Sequence, residues 1–292
     1  MLILSLDTTT KAASCAVARD GVVLNEERID PARQLALQLP GALRDILDLS
    51  AIALEEVDAL AVASGPGSFT GLRIGIATMQ GLAFGLGKPL IGISGLTALR
   101  AVASPAFLGS RIATWVDAWR GDVYAALFED GRQVGDPVVA RPADLLDAMI
   151  GRDVGFVPRE PRDALSLAKG GIRDSSAALM ANDITFIGDG AETYRDLIAS
   201  RLGHAARIAD PVAPLLAGVI AVLATIEYTK GHRPPPHAIR PLYVRRPDAE
   251  LAREEGRLKP APTGSAPHDR VPPARRSSKS EGGNPQSRIP DK

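Results

Sequence analysis

Short apolar runs separated by polar turns predict a mixed α/β protein with strands at the start of the chain. In the first half, the apolar pattern changes from the strand period to the helix period after residue 30. A short apolar run then leads into a glycine-rich turn and a second amphipathic segment. The predicted elements are strands at Leu2–Leu6, Ser14–Ala18 and Val22–Arg28, a helix at Arg33–Leu49, a strand at Ala59–Ala63 and a helix that ends near Leu86.

The second half repeats this order. Its predicted elements are strands at Ile112–Val116, Val123–Phe128 and Gln133–Val139, a helix at Ala143–Ile150, a strand at Ile184–Ile187 and a helix at Glu192–Leu202. The two Asp-Gly hairpin turns lie 110 residues apart, and so do Asp7 and Asp117, each at the end of a first strand. The element order βββαβα therefore occurs twice, which predicts a duplicated domain whose two lobes face each other across a cleft.

The repeat and the composition predict three regions. The N-terminal lobe covers residues 1–105 and carries the helices expected to dock a partner. The C-terminal lobe covers residues 106–247, with a loop insertion near 155–183. Within it, the segment Pro211–Lys230 is apolar almost all round and predicts a buried helix that joins the lobes. Residues 248–292 are rich in Pro, Gly, Ser, Arg and Lys, which predicts a disordered tail.

Composition excludes several classes of protein. The 292 residues are 45% hydrophobic with a net charge of zero, so no general attraction to nucleic acid or membrane is expected. Cys15 is the one cysteine and lies in an apolar run, which predicts a small core residue. The four histidines lack metal-ligand spacing, so no metal site is predicted. With no signal peptide and no membrane span expected, the predicted location is the cytoplasm.

A glycine-rich segment, Gly65–Ile74, lies between a strand and a helix, an arrangement typical of anion sites. Its spacing fits neither the dinucleotide fingerprint nor a Walker loop. The alternative is a tight turn in which Ser68 caps the helix. Asp7 and Asp117 would approach the cleft from opposite sides. Such aspartates hold Mg²⁺ in phosphotransferases of this architecture, but Asp7 and its threonines could equally cap a turn.

The first two long helices carry a pattern that favours docking. The helix at Arg33–Leu49 has leucines at spacings of three and four, and Pro40 should bend or restart it. The next helix has glycines at 71, 75, 81 and 85, which predicts close approach of another helix; the alternative is packing on the protein's own sheet. Arg73 could bind an anion at the glycine turn, form an ion pair across an interface, or be simply exposed.

Five motifs resemble the TsaB (YeaZ) family, which acts in tRNA threonylcarbamoyladenosine synthesis. They are Leu4–Thr9, Gly65–Gly75, Val116–Ala118 with Gly121–Tyr124, Gly188–Ala191 and Pro241–Arg245, so the resemblance covers about residues 1–247. It implies a fold of the actin, Hsp70 and sugar-kinase type (the ASKHA superfamily), with two ribonuclease-H-like lobes. It also implies pairing with the catalytic subunit TsaD, which transfers a threonylcarbamoyl group to an adenosine beside the tRNA anticodon, and with the ATPase TsaE. Gln34 stands where family members often have His.

We therefore expect a non-catalytic scaffold or activator subunit that docks TsaD, forms a homodimer when alone and meets tRNA only indirectly. The alternatives are an ATP-dependent small-molecule kinase and a protease-like hydrolase. No cofactor is expected to be required, and weak binding of ATP, ADP and Mg²⁺ is left open. The predicted partner interface is Leu35, Leu39, Leu43, Gly71, Arg73, Gly75 and Thr78. The predicted vestigial nucleotide or phosphate site is Asp7, Thr8, Thr9, Gly65, Gly67, Ser68, Asp117, Gly188 and Gly190.

Overall fold

A computed structural model describes residues 1–30, 34–103, 111–150 and 184–244. The first sheet contains β1 (Leu2–Asp7), β2 (Ser14–Arg19), β3 (Val22–Arg28), β4 (Ala59–Gly65) and β5 (Leu90–Ser94). The second contains β6 (Arg111–Asp117), β7 (Val123–Glu129), β8 (Arg132–Ala140), β9 (Ile184–Ile187) and β10 (Ala206–Ile208). The helices are α1 (Leu35–Leu49), α2 (Phe69–Leu86), α3 (Gly95–Ala103), α4 (Pro142–Ile150), α5 (Asp189–Thr193), α6 (Arg195–Leu202) and α7 (Ala217–Thr229).

The two sheets have the same topology. Their strand orders are β3-β2-β1-β4-β5 and β8-β7-β6-β9-β10. In each, the first strand is antiparallel to the second and parallel to the fourth. The predicted α/β fold with duplicated lobes is thus confirmed. The structure adds β5, α3 and β10, so the repeated unit is longer than the predicted βββαβα. The buried helix predicted within Pro211–Lys230 is α7.

Two details differ from the predicted elements. The predicted helix Glu192–Leu202 is divided into α5 and α6, because Tyr194 lies between them with φ −109°. Pro40 lies inside α1 and does not restart the helix, which is continuous from Leu35 to Leu49. The predicted insertion at 155–183 and the predicted tail lie outside the described residues. The boundaries of the three regions stay a prediction.

The core has three layers of contacts. Helices α3 and α7 pack between the two sheets, where buried residues of both sheets, such as Ile3 and Ile112, join one apolar cluster. Helices α1 and α2 cover the other face of the first sheet through residues such as Leu39 and Met79. Helices α4 and α6 cover the second sheet around Trp115. Among the described helices, none has the length and apolar character needed to cross a membrane.

The segment 232–244 follows α7 and returns along α2. The side-chain amide of Gln80 donates hydrogen bonds to the carbonyl oxygens of Pro236 and Ile239, at 3.0 and 3.2 Å. The Leu242 amide donates to the Ser64 carbonyl oxygen at 2.7 Å. These bonds bring the end of the described chain to the start of α2.

Candidate functional site: the cleft and the exposed face of α2

Asp7 ends β1 at the cleft and is fully buried. Its carboxylate accepts hydrogen bonds from the Thr9 amide at 2.8 Å, the Thr9 hydroxyl at 2.6 Å and the Thr10 hydroxyl at 3.1 Å. Burial raises the pKa of Asp7, although these hydrogen bonds act in the opposite direction. The geometry is that of an aspartate that organises its own turn, the alternative that the sequence left open.

Asp117 is the counterpart of Asp7 at the end of β6. One carboxylate oxygen accepts from the Trp119 amide at 2.8 Å, and the other lies 2.6 Å from the Lys11 ammonium nitrogen. The turn after it places Trp119 and Arg120 at φ 55° and 58°, in the left-handed region. The structure thus brings the ends of β1 and β6 together across the cleft, as the repeat predicted.

Asp189 is the third carboxylate at the cleft, and it was missing from the predicted site. It is nearly buried, its side chain accepts from the Asp117 amide at 2.9 Å and the Lys11 amide at 3.1 Å, and burial raises its pKa. The sequence singled out its neighbours Gly188 and Gly190. Their role is close packing on β6, since an added Cβ at Gly188 would overlap the Trp115 carbonyl oxygen. Asp189 could have been noticed because it stands between these glycines.

The glycine turn packs on the Thr8–Thr9 segment of the same lobe. The Ser68 amide donates to the Thr9 carbonyl oxygen at 2.9 Å, and a Cβ at Gly67 would overlap that oxygen. The Ser68 hydroxyl caps α2 by accepting from the Gly71 amide at 3.1 Å. The cap that the sequence offered as an alternative is therefore present. The nucleotide or phosphate role of the nine residues named above stays a prediction.

No group of three or more His, Cys, Asp or Glu side chains is placed to hold a metal ion within residues 1–30, 34–103, 111–150 and 184–244. Cys15 is buried in the first sheet, and burial raises the pKa of its thiol to about 12. A thiol with that pKa is a packing residue and a poor nucleophile at neutral pH.

Four residues of the predicted partner interface lie inside the protein. Leu39 and Leu43 belong to the core beneath α1, with 0% and 4% of their surface exposed. Gly71 and Gly75 face Thr8, whose hydroxyl donates to the Gly71 carbonyl oxygen at 2.8 Å. A Cβ at Gly75 would overlap that hydroxyl oxygen. The sequence predicted that these two glycines form a groove for a partner. The structure corrects this prediction, because the turn that follows β1 of the same protein packs against them.

The exposed side of α2 carries small and apolar residues other than Gly71 and Gly75. We call Ala77, Gly81, Phe84 and Gly85 the α2 stripe. A Cβ at Gly81 or Gly85 would meet no atom within 4 Å, and Phe84 is 83% exposed. On the neighbouring α1, Leu37 is 77% exposed. Leu35 and Thr78, also predicted for the interface, are partly exposed. Each of the two helices thus carries a large apolar side chain that the described chain leaves uncovered.

Arg73 lies one turn before the stripe and is held by two aromatic rings. Its guanidinium carbon is 3.9 Å from the centroid of the Phe69 ring, and its Nε donates to the Tyr243 hydroxyl at 3.0 Å. The Phe69 and Tyr243 rings are 5.4 Å apart. Arg73 is exposed, and the stacking restricts the direction of its side chain. Its place in a partner interface stays a prediction.

Comparison with known proteins gives one family and several relatives. The family model described as "TsaD: tRNA N6-adenosine threonylcarbamoyltransferase" matches residues 27–253. The Escherichia coli "tRNA threonylcarbamoyladenosine biosynthesis protein TsaB" is 40% identical over 129 residues, which are 44% of this chain and 55% of that protein. A second TsaB, from Haemophilus influenzae, is 38% identical, over 42% of this chain and 52% of its own length. The chain therefore matches about half the length of these curated relatives.

One solved structure is similar over nearly its full length. It is the Pseudomonas aeruginosa protein described as having similarity to peptidase YEAZ, 29% identical to this chain. The match covers 84% of this chain and 99% of that protein, with a TM-score of 0.61.

Proposed function

Because this chain belongs to the TsaB/YeaZ family of tRNA threonylcarbamoyladenosine biosynthesis proteins, we propose that it is a non-catalytic subunit of the machinery that modifies the adenosine beside the tRNA anticodon. In this role it docks a TsaD-like catalytic subunit and keeps that subunit in an active arrangement. A TsaE-like ATPase joins the assembly. The tRNA contacts the partner, and the protein works in the cytoplasm.

The observation that carries the docking proposal is the uncovered α2 stripe. Phe84 has 83% of its surface in water, so a partner that covers this side chain gains about 1.5–3 kcal/mol from its burial. Around it, Gly81 and Gly85 allow a helix of the partner to approach closely. Leu37 on α1 is a further large apolar side chain in contact with solvent. When the chain is alone, a second copy covers this surface and gives the homodimer.

Arg73 is the polar edge of the proposed interface. Its stacking on Phe69 and its bond to Tyr243 hold the guanidinium group in place before a partner arrives. A side chain that is already ordered loses less conformational entropy on binding. This arrangement favours an ion pair with a carboxylate of the partner over the other roles that the sequence allowed for Arg73.

The cleft supports a non-catalytic role. Asp7 is engaged by Thr9 and Thr10, and Asp117 and Asp189 are engaged by Lys11 and by backbone amides. A general base for phosphoryl or acyl transfer must reach a substrate proton at hydrogen-bond distance. These three carboxylates instead bind donors of the chain itself.

The test is threonylcarbamoylation of tRNA by a TsaD-like enzyme with and without this chain. We expect stimulation by the wild-type protein and the loss of both stimulation and co-purification in Phe84→Asp and Gly81→Arg. Binding should weaken by about tenfold or more, as for a central interface residue. Ser200→Arg, an exposed change on α6, is the matched control and should bind normally. Full stimulation by both α2 variants would overturn the proposed surface.

The kinase alternative has its own readout. Incubation of the chain with ATP and small hydroxyl compounds should yield no phosphorylated product. Turnover that is lost in Asp117→Asn would refute the scaffold role.

A further inference from the structure

Lys11 links the two lobes through both its backbone and its side chain. It follows the Asp7–Thr10 turn of the first lobe. Its amide donates to Asp189 at 3.1 Å and its ammonium nitrogen lies 2.6 Å from an oxygen of Asp117, both in the second lobe. The Asp117 amide in turn donates to Asp189 at 2.9 Å. We call Lys11, Asp117 and Asp189 the cleft cluster.

The two carboxylates of the cluster are poorly exposed. Asp117 and Asp189 have 7% and 4% of their surface in contact with solvent, whereas the Lys11 side chain is about half exposed. Burial raises the pKa of Asp189, and charge repulsion from Asp117 acts in the same direction. Two buried carboxylates that lie close to each other need a nearby cation if both are to stay ionised.

Lys11 supplies that cation. The hydrogen bond to Asp117 raises the pKa of the Lys11 amine, because the contact stabilises the charged ammonium form. The Lys11 ammonium also lies 3.5 Å from the Thr193 hydroxyl oxygen, so a second contact to the other lobe holds it beside Asp117.

We propose that the Lys11 ammonium is the resident cation of the cleft, and that it excludes a divalent metal ion from the oxygen atoms of Asp117 and Asp189. Removal of this single charge frees a carboxylate oxygen of Asp117 beside Asp189. Oxygen atoms of this kind suit Mn²⁺, Mg²⁺ and Ca²⁺. This inference concerns the cleft and is independent of docking through α2.

The experiment measures Mn²⁺ binding by electron paramagnetic resonance of the free ion, on the full chain. We expect Lys11→Met to bind one Mn²⁺ at least tenfold more tightly than the wild type. Lys230→Met is the matched control: it removes an exposed ion pair with Glu227, 2.9 Å long and at the end of α7, and should behave as the wild type. In the double variant Lys11→Met with Asp117→Asn, the gained binding should be lost.

Equal binding by Lys11→Met and the wild type would overturn the proposal, and so would binding that Asp117→Asn leaves unchanged. A second measurement needs no change at Lys11. In nuclear magnetic resonance titrations, the pKa of Lys11 should lie above the ordinary lysine value and should fall in Asp117→Asn. The same Lys11 titration in both proteins would show that the ammonium is not held in the cluster.

Discussion

The hydroxyl oxygen of Thr8 occupies the space that a side chain at residue 75 would need, so Gly75 is what lets α2 pack against the end of β1. The same hydroxyl donates to the Gly71 carbonyl oxygen at 2.8 Å. The contact fixes the first turns of α2 relative to Asp7 and the cleft. Gly75 is therefore a residue of the protein's own core, and variants at this position report on folding.

The first prediction compares two glycines of α2. Gly75→Ala should lower the free energy of unfolding by about 1–3 kcal/mol, because the new methyl group must displace Thr8. Gly81→Ala is the matched control on the same helix. A Cβ there meets no atom, so it should raise stability by about 1 kcal/mol through helix propensity. Urea denaturation measures both, and equal effects at the two positions would contradict the described packing.

From the glycines at 71, 75, 81 and 85, the sequence analysis predicted close packing against a single face of α2. Each residue turns a helix by about 100°, so the six residues from Gly75 to Gly81 give a rotation of about 240°. The pair at 71 and 75 therefore cannot share a face with the pair at 81 and 85. Which pair faces inward depends on Thr8, a residue far away in sequence, and no local pattern contains that information.

The same limit applies to the cleft. The 110-residue offset between Asp7 and Asp117 was enough to predict that β1 and β6 meet. The link from Lys11 to Asp189 spans 178 residues and depends on how the two lobes are placed, so no spacing rule could supply it. The strands β5 and β10 were missed because they are short and lack a clear alternation of apolar and polar residues.

The second prediction concerns Gln80 and the segment 232–244. Gln80→Ala removes both hydrogen bonds to this segment and should speed hydrogen exchange of the Leu242 amide, which is bonded to Ser64. The global free energy of unfolding should fall by about 1 kcal/mol. Exchange of amides in β6, in the other lobe, serves as the internal reference. Unchanged protection of Leu242 would show that Gln80 does not hold the segment.

The third prediction uses Cys15 as a reporter. Its thiol is buried and has a pKa raised to about 12 by burial, so almost no thiolate is present at pH 8. A thiol reagent such as Ellman's reagent should react with the native protein only at the rate of unfolding. In about 6 M guanidinium chloride, which unfolds the protein, the reaction should be fast. Rapid labelling of the native protein would refute the buried position.

Glu26 on β3 contacts the start of α7, a helix distant in sequence. Its carboxylate accepts from the Gly218 amide at 2.7 Å, and an added Cβ at Gly218 would lie 2.8 Å from the other carboxylate oxygen. Burial raises the pKa of Glu26 above its ordinary value of 4.5, although the hydrogen bonds oppose the shift. The folded protein therefore binds a proton at this site more readily than the unfolded chain does.

The fourth prediction follows from that shift. Below pH 4.5 the carboxyl group is protonated in both states and contributes no difference. As the pH rises toward the raised pKa of the folded protein, the unfolded chain loses its proton first, so the free energy of unfolding falls and then stays lower.

The variant Glu26→Gln has no carboxyl group, so it does not lose stability in this way, while its amide oxygen can still accept the hydrogen bond from the Gly218 amide. The variant should therefore gain stability relative to the wild type between pH 4.5 and 8, measured by urea denaturation at each pH. Glu27→Gln, at the exposed neighbouring position, is the matched control for the loss of one carboxylate from β3. A Glu26→Gln protein that loses stability as the pH rises would instead mean that the charge itself stabilises the start of α7.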